Sequence, residues 1–248
     1  MLDMAKIPIE TPDEESEIRF RDCFSVRYIQ SAAVLCRLGY EIEHGCSTGG
    51  EVPAELLIRH EAFILNSVLS CVAFLESTIN ELHADAVDGA YYYADPGQEL
   101  LLKTIGERWN NEKNFDRAPM VSKYQRILEI ADRPPFDEHE DAFENIRILN
   151  EIRNHLMHYK REWVVVRVTR TPGAGELSTA DRFEKILRAK FTINPLAGKN
   201  QPFFPDKCLG HGCAEWAVMN SLIFTDAFFR RLGLPVPYEG IKNELLTR

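Results

Sequence analysis

The sequence predicts an all-α protein: an antiparallel helical bundle with a small irregular or β-containing insert near 163–210. Three observations predict it. Apolar residues recur at three- and four-residue steps over long stretches, as in Leu57, Ile64, Val68, Val72, Leu75, Ile79 and Leu82. Glycine and proline mark short links between these stretches, which favours neighbouring helices that run in opposite directions. Strand propensity is read at Trp163-Val164-Val165-Val166-Arg167-Val168-Thr169, inside the insert.

Taken in order, residues 1–16 form a polar, loose lead-in. From Ser16 to Tyr40 the pattern is helical, with Ile18, Phe24, Tyr28, Ala32, Leu35 and Leu38 on the apolar side. His44 to Gly50 is turn material. Pro53 opens a long helix to about His83, since its fixed φ suits a first turn. Phe63, Cys71 and Phe74 widen that helix's apolar stripe, so it is expected at the centre. Gly89 to Pro96 is a tyrosine-rich connector, and Gln98 to Trp109 a short helix. Pro119 starts another, with Tyr124, Ile127, Leu128 and Ile130 inward, and Pro134-Pro135 stops it. The next helix is expected over Glu138 to Glu162, burying Phe143, Ile146, Leu149, Ile152 and Leu156.

Thr171-Pro172-Gly173-Ala174-Gly175 interrupts the insert, and Phe183 to Phe191 reads equally as a short helix or as part of a β-rich insert. Cys213 to Leu232 is the last long helix, carrying Trp216, Val218, Met219, Leu222, Ile223, Phe224 and Phe228. Gly233 and Pro235 close it. No internal repeat or low-complexity tract is present, and 1–248 is read as one domain.

Composition narrows the function classes. Hydrophobic residues are 45% and charged residues 27%, an ordinary globular balance. No uninterrupted apolar run reaches the roughly 18 residues that span a bilayer, so no membrane association is expected. Met1-Leu2-Asp3-Met4-Ala5-Lys6 lacks the basic-then-apolar layout of a signal peptide, and a cytoplasmic location is expected. The net charge of -9 disfavours non-specific wrapping of long nucleic acid, which needs many Lys and Arg. The charge is uneven, however. From Arg147 to Arg170 there are six Lys/Arg against only Glu151 and Glu162, which leaves room for a local basic site.

Six cysteines are scattered at 23, 36, 46, 71, 208 and 213, which fits buried thiols in a reducing compartment. Cys208-Leu209-Gly210-His211-Gly212-Cys213 offers three potential ligands. Structural zinc wants four, and nothing in the sequence brings His44 or Cys46 to them. No structural metal is expected there, and the stretch is read as a glycine-bearing loop leading into the last helix. Glu138-His139-Glu140-Asp141 is read as an acidic helix start favoured by the dipole. There is no phosphate-cradling glycine loop and no serine-nucleophile elbow.

The chemically loaded segment is Arg153-Asn154-His155-Leu156-Met157-His158. On a regular helix Arg153 and His158 differ by about 140° in azimuth, while Asn154 and His158 share a face within roughly 40°. A long arginine side chain still reaches that face. The trio combines a guanidinium that can clamp phosphate, an imidazole that titrates near neutrality, and an amide that can orient either. On the central helix Glu76 and Asn80 sit at i and i+4 within an apolar region. Polar groups there need partners, and Arg153 and Asn154 are the nearest plausible ones, with Glu76 expected to hold Arg153. The bland alternatives are that Glu76 and Asn80 face water, that Arg153 is a surface ion-pair partner, and that His158 is a core histidine packed on Tyr159 or Trp163.

Arg153-Asn154 followed by His158 resembles the Arg-polar-(three)-His signature of HEPN domains, which are α-helical bundles. The motif's place in a late helix, the following Tyr159, and the segment Phe74-Leu75-Glu76-Ser77-Thr78-Ile79-Asn80-Glu81, similar to the acidic helix beside the motif, carry the resemblance. It covers about residues 55–160 plus the last helix, and not 163–210. It implies a metal-independent endoribonuclease without cofactor, acting as a homodimer with a composite Arg/His site, in stress response or defence against phage. Arg153 would bind phosphate, His158 would move protons, and Asn154 would orient, with Glu76, Asn80 and Tyr159 in support. The alternative it implies is a non-catalytic helical module binding RNA, a nucleotide or a protein partner. Some members carry a tyrosine two places after the histidine as a target of nucleotide transfer. Lys160 stands there in this chain, which puts such regulation in doubt.

Overall fold

Proline marks where two of the helices begin. In the computed structural model, which describes residues 22–46, 52–89, 95–111, 117–159 and 178–248, the carbonyl of Pro53 accepts from Leu57 N–H at 3.2 Å and that of Pro119 from Lys123 N–H at 3.1 Å. Both prolines stand just outside their helices, where a missing N–H costs nothing. The helices are α1 (Phe24–Cys46), α2 (Ala54–Asp88), α3 (Pro96–Asn111), α4 (Met120–Ile130), α5 (Asp141–Met157), α6 (Thr179–Leu187) and α7 (His211–Leu232). No strand occurs among the described residues. The chain is all-α, as the apolar spacing predicts.

α2 is the central element, and it runs beyond the expected end at His83 to Asp88. Gly89, at φ 68°, closes it in the left-handed conformation that glycine adopts without steric cost. Three contacts give its relation to α1. Glu81 accepts from Ser25, Ser67 donates to the carbonyl of Ala32, and Glu43 accepts from His60. Residue numbers rise along one helix as they fall along the other, so this pair is antiparallel. The buried side of α2 includes Ile64, Val68, Cys71, Val72, Phe74, Leu75, Ile79 and Leu82, the stripe expected from sequence. α2 also holds an 18-residue window of mean hydropathy 1.7, long and apolar enough by composition to cross a membrane. Half of that window is buried in the protein core.

Around α2 the packing is aromatic and close. Tyr124 of α4 is fully buried, donates its hydroxyl to the Leu75 carbonyl at 2.7 Å, and meets Phe224 and Phe228 of α7 edge to face. α3 approaches α2 through Gly106, where a β-carbon would stand 2.4 Å from the carbonyl oxygen of Ala86. α5 crosses α7 through Asn145 and Asn220, whose amides are 2.7 Å apart. Arg231, near the end of α7, donates to the carbonyls of Pro134 and Pro135 and to both oxygens of Glu140, and it lies over the Phe136 ring. The acidic start Glu138 to Asp141 is thus tied to α7.

The expected strand of the insert falls outside the described residues. The insert's described part, 178–210, is not strand-bearing. Ser178 and Asp181 form a reciprocal capping box that starts α6, which settles the helix-or-strand alternative at Phe183 for Thr179–Leu187. A kinked turn follows at Phe203–Lys207, with Phe204 in an extended conformation at φ -110° and ψ 132°. Phe183, Leu187, Phe203, Phe204 and Cys208 are buried, so this stretch joins the core rather than decorating it. The lead-in 1–16, the expected strand Trp163–Thr169 and the break at Thr171–Gly175 lie outside the described residues.

Candidate functional site

α5 places the motif. Phe143, Ile146, Leu149 and Ile152 bury one side of the helix, which turns Arg153 toward α2 and leaves Asn154 in solvent. The helix ends at Met157 rather than near Glu162. His158 is its C-cap, at φ -116° and ψ 37°, with its N–H donating to the Asn154 carbonyl at 2.9 Å.

Arg153 and Asn154 are brought together: Nη1 donates to Asn154 Oδ1 at 3.0 Å. The other side of the guanidinium faces Glu76 of α2, with Nη2 3.9 Å from Oε2. The arginine side chain is 32% exposed and that of Glu76 49%, so the guanidinium is oriented but reachable. His158 is exposed, and its ring makes no hydrogen bond among the described residues. It is not packed into the core, and Tyr159 and Met157 beside it are exposed too. Asn80 takes another partner than Arg153 or Asn154. Its Oδ1 accepts from Nζ of Lys123, a buried lysine of α4, at 3.0 Å. The reason is geometric: Glu76 and Asn80 share a face of α2, but α4 covers the later turn.

The histidine between the motif residues has a structural setting. His155 meets Phe183 edge to face with ring centres 5.1 Å apart, and its Nε2 lies 3.3 Å from Arg182 Nη2. Arg182 also pairs with Glu151. α6 is docked on α5 by these groups.

A second polar cluster was not legible from sequence. Glu43, buried in α1, accepts at Oε1 from His60 at 2.7 Å and from the backbone N–H of His211 at 2.6 Å. His60 is 1% exposed, and His211 lies against Tyr40 and 3.1 Å from the Thr247 carbonyl. His60 and Glu43 stand among charged neighbours, Arg59 and Glu61, Glu41 and His44, and so look like parts of a solvated face. Next to His60 a cleft of about 700 Å³ opens between α2, the end of α5 and the 194–209 stretch.

Only Cys208–Gly210 of the Cys208–Cys213 stretch leads into α7, which already begins at His211 rather than at Cys213 as read from sequence. Both thiols are buried, and Cys213 is pushed well above its ordinary range by a hydrogen bond with Cys208 and by burial. No group of three metal-ligating side chains is assembled among the described residues.

No family model, curated protein or solved structure matches the chain. Its function therefore has to be argued from its own residues.

Proposed function

We propose that the chain is a HEPN-type, metal-independent endoribonuclease: a single-domain, antiparallel helical bundle with an insert, acting in the cytoplasm as a homodimer. The single observation that carries this reading is the end of α5. An exposed, unengaged imidazole at His158 follows a guanidinium at Arg153 held by Glu76 and Asn154. Arg153 binds the non-bridging oxygens of a phosphodiester, where charge gathers in the transition state. His158 accepts the proton of the ribose 2′-hydroxyl as its oxygen attacks the adjacent phosphorus. The O2′–P bond forms and the P–O5′ bond breaks. The partner's equivalent histidine delivers a proton to the departing 5′ oxygen. The products are a 2′,3′-cyclic phosphate and a 5′-hydroxyl. Tyr159 and Met157, both more than half exposed, supply apolar surface for a two-fold contact beside the motif. Six free thiols fit a reducing compartment. A role in stress response or defence against phage follows from the resemblance alone.

One observation favours a second reading, a non-catalytic module that binds RNA, a nucleotide or a protein partner. Glu76 stands on the guanidinium and competes with any phosphate for it.

The test is incubation of the protein with single-stranded RNA and excess chelator, alongside Arg153→Ala and His158→Ala. Cleavage by the wild type, a fall of about a hundredfold or more in each variant, and no cut in DNA of the same sequence are expected. RNA left intact by folded wild type, or cleavage retained in both variants, overturns the proposal. RNA bound but uncut supports the module.

A further inference from the structure

The cleft beside His60 holds a polar set in which acceptors predominate. Its walls are apolar, built from Leu57, Leu65, Leu156, Leu196, Phe204 and Leu209. Its ionisable lining comprises His60, Glu61, Asp206 and Tyr159, with no Lys or Arg among the described residues. Both N–H groups of the Asn194 amide and one of the two on Gln201 are already engaged. Asn194 Nδ2 donates to the carbonyls of Asp206 and Leu209, both at 3.1 Å, and Gln201 Nε2 donates to Asp206 Oδ1 at 3.2 Å.

The acceptors, by contrast, are free. Asp206 Oδ2 has no hydrogen bond, and Glu61, exposed on α2, makes no ion pair among the described residues. His60 is the decisive group, because it is almost wholly buried and lines the cleft. A carboxylate only accepts, so the 2.7 Å contact to Glu43 requires the proton on His60 Nε2. With a proton on Nε2, Nδ1 is the ring's remaining lone-pair site, and it makes no hydrogen bond among the described residues. Glu43 is itself fixed by the His211 N–H, so the tautomer is set by the fold.

A cleft with apolar walls, two carboxylates and a buried imidazole acceptor lacks what a cation with several N–H donors brings. We infer that this cleft is a binding site for a small organic ammonium: an apolar body with one protonated amine directed at His60, Glu61 and Asp206. Its volume lies within the range of small-ligand pockets. An anion of the same shape is rejected, because it meets two carboxylates with no counter-charge. None of the groups that face the amine belongs to the Arg153 trio, although Tyr159 lines the cleft and also stands at the proposed two-fold contact.

The probes are hexylammonium, hexanol and hexanoate, which share a chain and differ in charge, titrated calorimetrically into the full-length protein at neutral pH. Hexylammonium is expected to bind at least tenfold more tightly than hexanol, and hexanoate not at all. Ala62→Trp, on an exposed position that lines the cleft, should abolish binding with the melting temperature retained. The double variant Glu61→Gln/Asp206→Asn should reduce the preference for ammonium over alcohol below threefold, and it decides the matter if Ala62→Trp fails to fold. Equal binding of the three probes, no binding of hexylammonium, or undiminished binding by both variants overturns the inference. RNA cleavage plays no part in these readouts, so failure here leaves the nuclease proposal standing, and the reverse.

Discussion

Nη2 of Arg153 lies 3.9 Å from Oε2 of Glu76, across the gap between α5 and α2. Both side chains are partly exposed, and pairs of that kind contribute only about 0–1 kcal/mol. Under the proposed reaction Glu76 is therefore a positioning residue, and it is no mainstay of stability. Glu76→Gln should lower kcat for RNA cleavage by about fivefold or less, with KM and melting temperature unchanged, and Glu76→Asp should recover part of the loss. A loss as large as that of Arg153→Ala would instead place Glu76 in the chemistry.

Tyr124 tests the core. Its side chain is fully buried, and its hydroxyl donates to the Leu75 carbonyl at 2.7 Å with the Thr78 hydroxyl beside it. Tyr124→Phe keeps both edge-to-face contacts with Phe224 and Phe228 and removes that bond. Urea unfolding should show a loss of about 1 kcal/mol. Tyr124→Ala should cost about 3–5 kcal/mol, because a cavity is added to the lost contacts.

The thiols divide into two classes. Cys36, Cys71, Cys208 and Cys213 are buried, while Cys23 and Cys46 are half-buried. Burial, with Glu215 nearby, pushes the Cys36 thiol up to about 12, and burial raises Cys71 further. The thiolate is the reactive form. A disulfide reagent at pH 8 should therefore modify Cys23 and Cys46 in native protein and the other four only after denaturation. Rapid reaction of Cys36 in the folded state would contradict the packing of α1 on α2.

Glu81 gives a pH signature. Burial raises its carboxyl, against the opposing pull of hydrogen bonds from Ser25 and Phe24. A folded-state value above the unfolded one, about 4.3, means that the folded chain holds this proton more tightly. Its stabilising contribution is complete below the unfolded value and is lost as pH rises through the folded one. Glu81→Gln should remove that decline. The melting-temperature difference, variant minus wild type, should grow as pH rises from about 4 to 7. A flat difference would show that the carboxyl is not perturbed.

Much of the fold was readable because one face of each long helix is buried. The α2 stripe from Ile64 to Leu82 and the α4 set Tyr124, Ile127, Leu128 and Ile130 need no tertiary knowledge, since apolar spacing alone marks them. Helix ends were read less well. The stop of α5 at Met157 carries no glycine or proline, and the chain breaks helix at His158 without a local sign. At the candidate site the Glu76–Arg153 pairing was one of two readings left open by the polar pair on α2, and the engagement of Asn80 by Lys123 was not foreseen, because it depends on where α4 crosses α2. The Glu43–His60 contact spans two helices whose relative rotation no short-range pattern reports. Insert residues such as Phe183 and Phe204 gain their partners only when the chain returns to α5.

The long helix α2 carries both Leu65 of the cleft and Glu76 of the motif, 11 positions apart. A helix advances about 1.5 Å and 100° per residue, so these two lie about 16 Å apart along the axis and nearly in line. A straight rod of that kind acts as a gauge. Its two stations keep their separation however the loops around them vary, and one inserted residue between them would swing Glu76 about a quarter turn out of line. Drift in the loops can thus alter what reaches either station, while the interval between them stays set by α2 alone.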